Sequence, residues 1–191
     1  MPLLDPVEPL RHPVRRVLVA GTSGAGKTSL AKLIARYLDV PHVEIDALFH
    51  GPGWVPRASF ESDVQCFSAG PEWVTEWQYG AVRAHLAGRA DLVVWLDMPR
   101  GVVIRQVVRR TVVRWVRRER LWNDNVEPPP WRIAVDPDHI VRWAWRTHSD
   151  TAWRVAALLR ASPGVMVVRL RSHAEARRWL DGPLRQAGPV P

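Results

Sequence analysis

One octapeptide constrains this chain more than any other feature. Gly21-Thr-Ser-Gly-Ala-Gly-Lys-Thr28 has the spacing G-x-x-x-x-G-K-[ST]. Glycines at these positions let the backbone wrap tightly, so that successive N–H groups point inward at phosphate oxygens. A short β-rich run, Arg16-Val-Leu-Val-Ala20, comes before it. After it, Leu30, Leu33, Ile34, Tyr37 and Leu38 recur at helical spacing. Strand, glycine loop and amphipathic helix in that order add the positive N-terminal end of the helix to the loop's N–H groups. Gly21, Thr22, Ser23, Gly24, Ala25, Gly26, Lys27, Thr28 and Ser29 are therefore expected to hold nucleotide phosphates. Lys27 would reach the β- and γ-phosphates, and the Thr28 hydroxyl would ligate Mg²⁺.

The rest of the chain repeats the alternation. His42–Asp46, Glu72–Trp77, Asp91–Asp97 and Val165–Leu170 read as further strands. Helical spacing runs through residues 58–69, 80–88, 101–118 and about 138–160. Ser172-x-x-Glu175 is a capping box that opens a last helix. Strands alternating with helices predict an α/β fold of three layers around a mainly parallel sheet. The expected organisation is an irregular lead-in over 1–14 and one domain over 15–182. Within that domain a lid region spans about 105–137, and a frayed tail covers 183–191.

Composition narrows the setting. No apolar run approaches the roughly 20 residues of a membrane helix. The start of the chain has acids and prolines where a secretory signal needs a basic, then apolar, stretch. The single Cys66 excludes a disulfide within the chain and a multi-cysteine zinc site. These features make the cytoplasm the expected compartment. The net charge of +8 comes from 27 basic against 19 acidic residues, and Lys27 and Lys32 are the only lysines. Seven of the arginines fall between Arg105 and Arg120. Arginine forks bind two phosphate oxygens at once, so this run suits a lid closing over a transferring phosphoryl group, with Arg105, Arg109 and Arg110 the candidates. A solvated helix face or a nucleic-acid patch stays open as a reading of the same residues.

Three acids end candidate strands: Asp46, Glu76 and Asp97. Ligands of open parallel sheets sit beyond the carboxyl ends of strands. Asp97 is thus a candidate for Mg²⁺, and Asp46 and Glu76 for the acceptor or the metal's waters. Among the 11 tryptophans, Trp95, Trp143, Trp145, Trp153 and Trp179 read as packing residues, and Trp54, Trp77 and Trp122 as candidates for an acceptor pocket. His50, His148 and His173 have no metal-ligand spacing and read as non-catalytic.

Taken together, Gly21–Ser29, His42-Val-Glu-Ile-Asp-Ala-Leu-Phe-His-Gly-Pro-Gly-Trp54, Trp73-Val, Ala90–Arg100 and Leu121-Trp-Asn-Asp-Asn125 resemble the adenylate-kinase-related P-loop family known as DNA topology modulation proteins. The resemblance spans most of residues 16–180. It implies a nucleoside-monophosphate-kinase-like fold with strand order 2-3-1-4-5 and an Arg-rich helical lid. It also implies ATP and Mg²⁺ as ligands, and puts Arg171 in the loop near the adenine. The chain departs from the family pattern Trp-Val-x-Asp-Gly-Asn-Tyr at Trp73-Val-Thr-Glu-Trp-Gln-Tyr79, where Trp77 replaces a glycine and is expected to fill space at the acceptor site. The function expected is transfer of the ATP γ-phosphoryl group to a small acceptor, a nucleotide among the candidates. A regulatory ATP-binding switch with slow hydrolysis and a nucleic-acid-binding protein are the alternatives.

Overall fold

The computed structural model describes residues 3–126, 129–134, 136, 139–162 and 164–187. Its five strands are β1 (Leu3–Leu4), β2 (Arg16–Gly21), β3 (Trp73–Glu76), β4 (Leu92–Leu96) and β5 (Met166–Leu170). They form one sheet in the order β1-β5-β4-β2-β3, and every pairing is parallel. Val17 sits opposite Val74 on one side and Leu92 on the other, so β2 lies inside the sheet and the phosphate loop leaves from its carboxyl end.

The helices are α1 (Lys27–Leu38), α2 (Ile45–Phe49), α3 (Phe60–Ser68), α4 (Gly80–Arg89), α5 (Arg100–Arg117), α6 (Ile140–Arg146), α7 (Asp150–Ala161) and α8 (His173–Trp179). Alternation along the strands feeds two cores. Val17, Val19, Val94 and Val168 pack with Ile34 of α1, Val103 and Val107 of α5 and Trp179 of α8. Leu18, Val93 and Val167 pack with Val64 of α3, Leu86 of α4 and Leu158 of α7. A parallel sheet covered on both faces needs continuous apolar strands, and β4 is buried at all five positions. The three-layer α/β/α architecture with a mainly parallel sheet is the one the sequence predicts.

Several elements differ from expectation. The second strand, expected over His42–Asp46, shrinks to a single parallel bridge between His42 and Val74. The Ile45 N–H donates to the Glu76 carboxylate (3.2 Å) instead of a neighbouring strand, and the chain turns into α2. The order 2-3-1-4-5 thus survives with that edge reduced to one residue, and β1, from the lead-in, extends the other edge. The helix expected over 138–160 is two helices, α6 and α7. The chain breaks between them where the Thr147 hydroxyl donates back to Trp143 O and the Asp150 N–H to Thr147 O. Pro183 and Leu184, placed in the tail, are buried against the core, while 188–191 lie outside the described residues. Residues 127, 128, 135, 137 and 138 of the lid region and its flank also lie outside them. Trp95 and Trp179 are packing residues as expected, but Trp143, Trp145 and Trp153 are exposed. Trp77 is buried with its indole N–H donating to Arg83 O (3.1 Å), so its ring fills the core beneath α4 and not the cleft. No helix among the described residues is long and apolar enough to cross a membrane.

Candidate active site

The loop between β2 and α1 is built to wrap. Gly24 and Gly26 hold φ of +84° and +95°, a left-handed region that L side chains rarely adopt. Gly24 is also pressed against α5: a Cβ there would lie 2.1 Å from Cγ2 of Val107. Lys27 opens α1 and is buried, its ammonium donating to Thr22 O at 3.2 Å. Burial lowers its pKa to about 8; Asp46 and Glu76 oppose that shift, and the positive charges of Arg110 and Arg154 add to it. The buried Thr22 hydroxyl has no hydrogen-bond partner.

A cleft of about 740 Å³ opens over this loop. Its floor is the loop from Ser23 to Ser29. Gln106, Arg110 and Arg114 of α5 form one wall, spaced i, i+4, i+8 along one helix face. Val103, Val107 and Thr111 point from α5 into the protein. Arg105 and Arg109 sit on the exposed side of α5, outside the cleft lining. The structure thus brings Arg110 to the loop, adds Arg114, and leaves Arg105 and Arg109 away from it.

Another part of the wall carries Glu44, Asp46 and Gln78, and Glu44 pairs with Lys32, which also lines the cleft, at 3.4 Å. Asp46 Oδ1 accepts from Gln78 Nε2 (2.8 Å) and from the Tyr79 hydroxyl (2.5 Å). Glu76, the last residue of β3, lies beneath this wall and is 1% exposed. Burial pushes its pKa up, but His42, the Ile45 N–H and the Thr28 hydroxyl outweigh that and hold it below the usual value. His42 Nε2 lies 3.4 Å from its Oε1. Asp97 is placed differently. It follows β4 but faces Arg169, which donates to it from both Nε and the terminal nitrogen and lies 4.6 Å over the Trp95 ring. Asp97 does not line the cleft.

At the far end the cleft meets α8 through His173, Ala176 and Arg177. Arg171 is exposed and outside the lining, its backbone N–H donating to Glu175 Oε2 (2.7 Å) while Glu175 N donates to Ser172 Oγ (3.1 Å). The capping box predicted this helix start, yet the position of His173 beside the phosphate loop was not read from the sequence. A Cβ on Gly26 would lie 3.9 Å from its ring.

A turn at Trp122–Asp124 covers the acidic end. Asn125 fastens it: its Oδ1 accepts from Trp54 N (3.0 Å), and its Nδ2 donates to Gly51 O (2.9 Å) and Trp122 O (2.8 Å). Trp122, which lines the cleft, stacks on His50 at 5.8 Å between ring centroids. His50 read as non-catalytic from its spacing, but only the fold places it beneath this turn.

With this geometry the chain can be set beside known proteins. No protein-family model matches it, and no curated protein matches it in sequence. Among solved structures it is similar to a gluconokinase from Sinorhizobium meliloti 1021, with 19% identity over 93% of this chain and 95% of that one, and a TM-score of 0.52. It is also similar to a shikimate kinase from Acinetobacter baumannii in complex with shikimate, with 16% identity over 88% and 89% and a TM-score of 0.50. The fold is that of the P-loop kinases. At these identities the likeness speaks for the fold, and the chemistry has to come from the side chains of this cleft. They offer three basic groups (Lys27, Arg110, Arg114) and the acid Asp46 on one lining, with Glu76 buried nearby, which suits a polyanion beside a hydroxyl to be deprotonated.

Proposed function

We propose that the protein is an ATP-dependent phosphotransferase that moves the γ-phosphoryl group to the hydroxyl of a small acceptor. The observation that carries this reading is the mixed lining of one cleft. Lys27, Arg110 and Arg114 share that lining over the phosphate loop with Asp46.

The triphosphate fits the cradle: the positive-φ glycines turn N–H groups inward, and a buried lysine has only a backbone carbonyl and nearby acids as counterparts. In phosphoryl transfer the protein mainly positions and neutralises. Lys27 would hold the β- and γ-oxygens, and Arg110 and Arg114 would meet the charge spread over the transferring group. Asp46, anchored through one carboxylate oxygen, would orient the acceptor hydroxyl and take its proton. The Thr28 hydroxyl would hold Mg²⁺, which would supply positive charge against the phosphates. Glu76, whose charged form the Thr28 hydroxyl favours, fits an outer position, whereas the commitment of Asp97 to Arg169 argues against a direct metal role for that acid. The exposed arginines Arg105 and Arg109 would enter only through movement of α5. Kinship with the DNA topology modulation proteins is a finer reading, supported by the Leu121-Trp-Asn-Asp-Asn125 segment docked as a lid turn.

Incubation with Mg·ATP and a panel of nucleoside monophosphates and small hydroxyl compounds tests the reading by ADP release. Release that depends on one acceptor class and vanishes in Lys27→Ala supports a kinase. Slow release independent of acceptor supports an ATP-binding switch. Binding to DNA that is salt-sensitive and indifferent to ATP supports the nucleic-acid alternative.

A further inference from the structure

A continuous chain of contacts joins the lid turn to the acceptor-facing acid. The Tyr79 hydroxyl has one proton, and it goes to Asp46 Oδ1. Its oxygen is then left to accept, and His50 Nε2 lies 3.2 Å away. His50 must therefore carry its proton on Nε2. Its buried Nδ1 has no hydrogen-bond partner, so nothing there calls for the proton. Burial also holds the His50 pKa below its ordinary value, which keeps the ring neutral with a single N–H. On the other side of the ring sits the lid turn: Trp122 stacks on it, and Asn123 Nδ2 donates to the His50 carbonyl. Phe49 stacks on Tyr79 at 3.9 Å, so the tyrosine has little freedom to find another partner. Tyr79 itself holds φ of +53°, a strained backbone for an aromatic residue. Such strain persists only where the surroundings over-determine it.

We propose that His50 and Tyr79 are positioning residues for Asp46, and that docking of the Trp122–Asn125 turn sets them, so that lid closure and orientation of the acid are one event. The proposal rests on the phosphotransferase reading for its consequence, not for its geometry. An open lid would strip His50 of its Trp122 and Asn123 contacts, so that the Tyr79 oxygen loses a fixed donor and the Tyr79–Asp46 hydrogen bond loses its set geometry. Attack by water on ATP would then be disfavoured until the turn, and the acceptor beneath it, are in place.

Two measurements test it on the full-length protein. The first uses ¹⁵N-histidine NMR without ligands, with the His50 signals assigned through His50→Gln. An Nε2–H tautomer with a protected Nε2 proton is expected. That protection should be lost in Tyr79→Phe, and also in Asn123→Ala, which removes the amide on the His50 carbonyl from an exposed position whose φ of +55° also strains an alanine. The second is steady-state kinetics with the acceptor that releases ADP fastest. Tyr79→Phe should lower kcat about tenfold while the KM for ATP stays within about twofold, and Asn125→Ala should raise the acceptor KM about fivefold or more. An Nδ1–H tautomer, or a His50 signal unchanged in both Tyr79→Phe and Asn123→Ala, overturns the relay. So does a loss of ATP affinity in step with kcat, which a merely structural role would give. If no acceptor stimulates ADP release in the unaltered protein, the phosphotransferase reading fails, and the NMR result still decides the relay.

Discussion

The two ends of the cleft are made in different ways. The phosphate end is backbone: one contiguous octapeptide between β2 and α1, with two glycines at positive φ and a buried lysine at the helix start. The acceptor end is side chain, assembled from α2, the residues after β3, the Gly51–Trp54 loop and the lid turn, and held by Asp46, Tyr79, His50 and Asn125. A backbone cradle recognises any chain of phosphates. A side-chain enclosure can be altered one residue at a time, so it is where the specificity of such a fold would be set.

Mutations at the two ends should therefore fail differently. Lys27→Ala should give the largest loss, lowering kcat about 10²- to 10³-fold or more, because on the proposed reading it removes the ammonium that would hold the transferring phosphates; ADP release under saturating Mg·ATP measures it. Asp46→Asn comes next. It should lower kcat about 10²-fold and leave ATP binding by calorimetry nearly intact, since it removes the proposed acceptor base and not the cradle. Equal losses of kcat and ATP affinity there would erase the distinction between the ends.

Gly24→Ala tests the backbone end. The new methyl would meet Val107 and sit on a strained φ, so it should destabilise the fold by about 1–3 kcal/mol in urea unfolding and weaken ATP binding. The pH dependence of ATP binding follows from Lys27. In the free protein its pKa is lowered to about 8, and triphosphate raises it again by supplying negative charge. Below pH 8 the lysine is already charged and binding costs no proton. Above pH 8 binding must take one up, so affinity should fall with rising pH, by at most about tenfold per unit, and calorimetry in buffers of different ionisation heat should show proton uptake. The smallest effect is expected for Asp97→Asn. It disrupts a partly exposed pair with Arg169 worth about 1 kcal/mol, and the Mg²⁺ dependence of activity should stay unchanged. A large shift in Mg²⁺ requirement would return Asp97 to the metal.

The same contrast explains what was legible in the sequence. The phosphate loop, its flanking strand and helix, the hydrophobic β4 and the Ser172–Glu175 box are local patterns, and local patterns can be read along the chain. The strand expected at His42–Asp46 could not be read correctly, because its fate turns on Glu76, more than thirty residues away, capturing the Ile45 N–H. Arg105, Arg109 and Arg110 look equivalent in a run of arginines. Only the packing of Val103 and Val107 against the loop fixes the face of α5 that meets the cleft, and that face carries Arg110 and Arg114. Trp77 and Asp97 each looked like part of the site by position, but Trp77 packs in the core with its indole on Arg83 O, six residues on, and Asp97 pairs with Arg169, 72 residues on. His50 and Asn125 fell within segments that carry the family resemblance, but their parts could not be read there, since their meaning lies in contacts across the lid.

The central claim, transfer to an acceptor, is tested most directly by ³¹P NMR of Mg·ATP turned over with the best acceptor of the panel. The account predicts a new phosphoester resonance that grows with ADP and is absent in Lys27→Ala. Inorganic phosphate appearing at the same rate with and without acceptor, and no phosphoester, would contradict it.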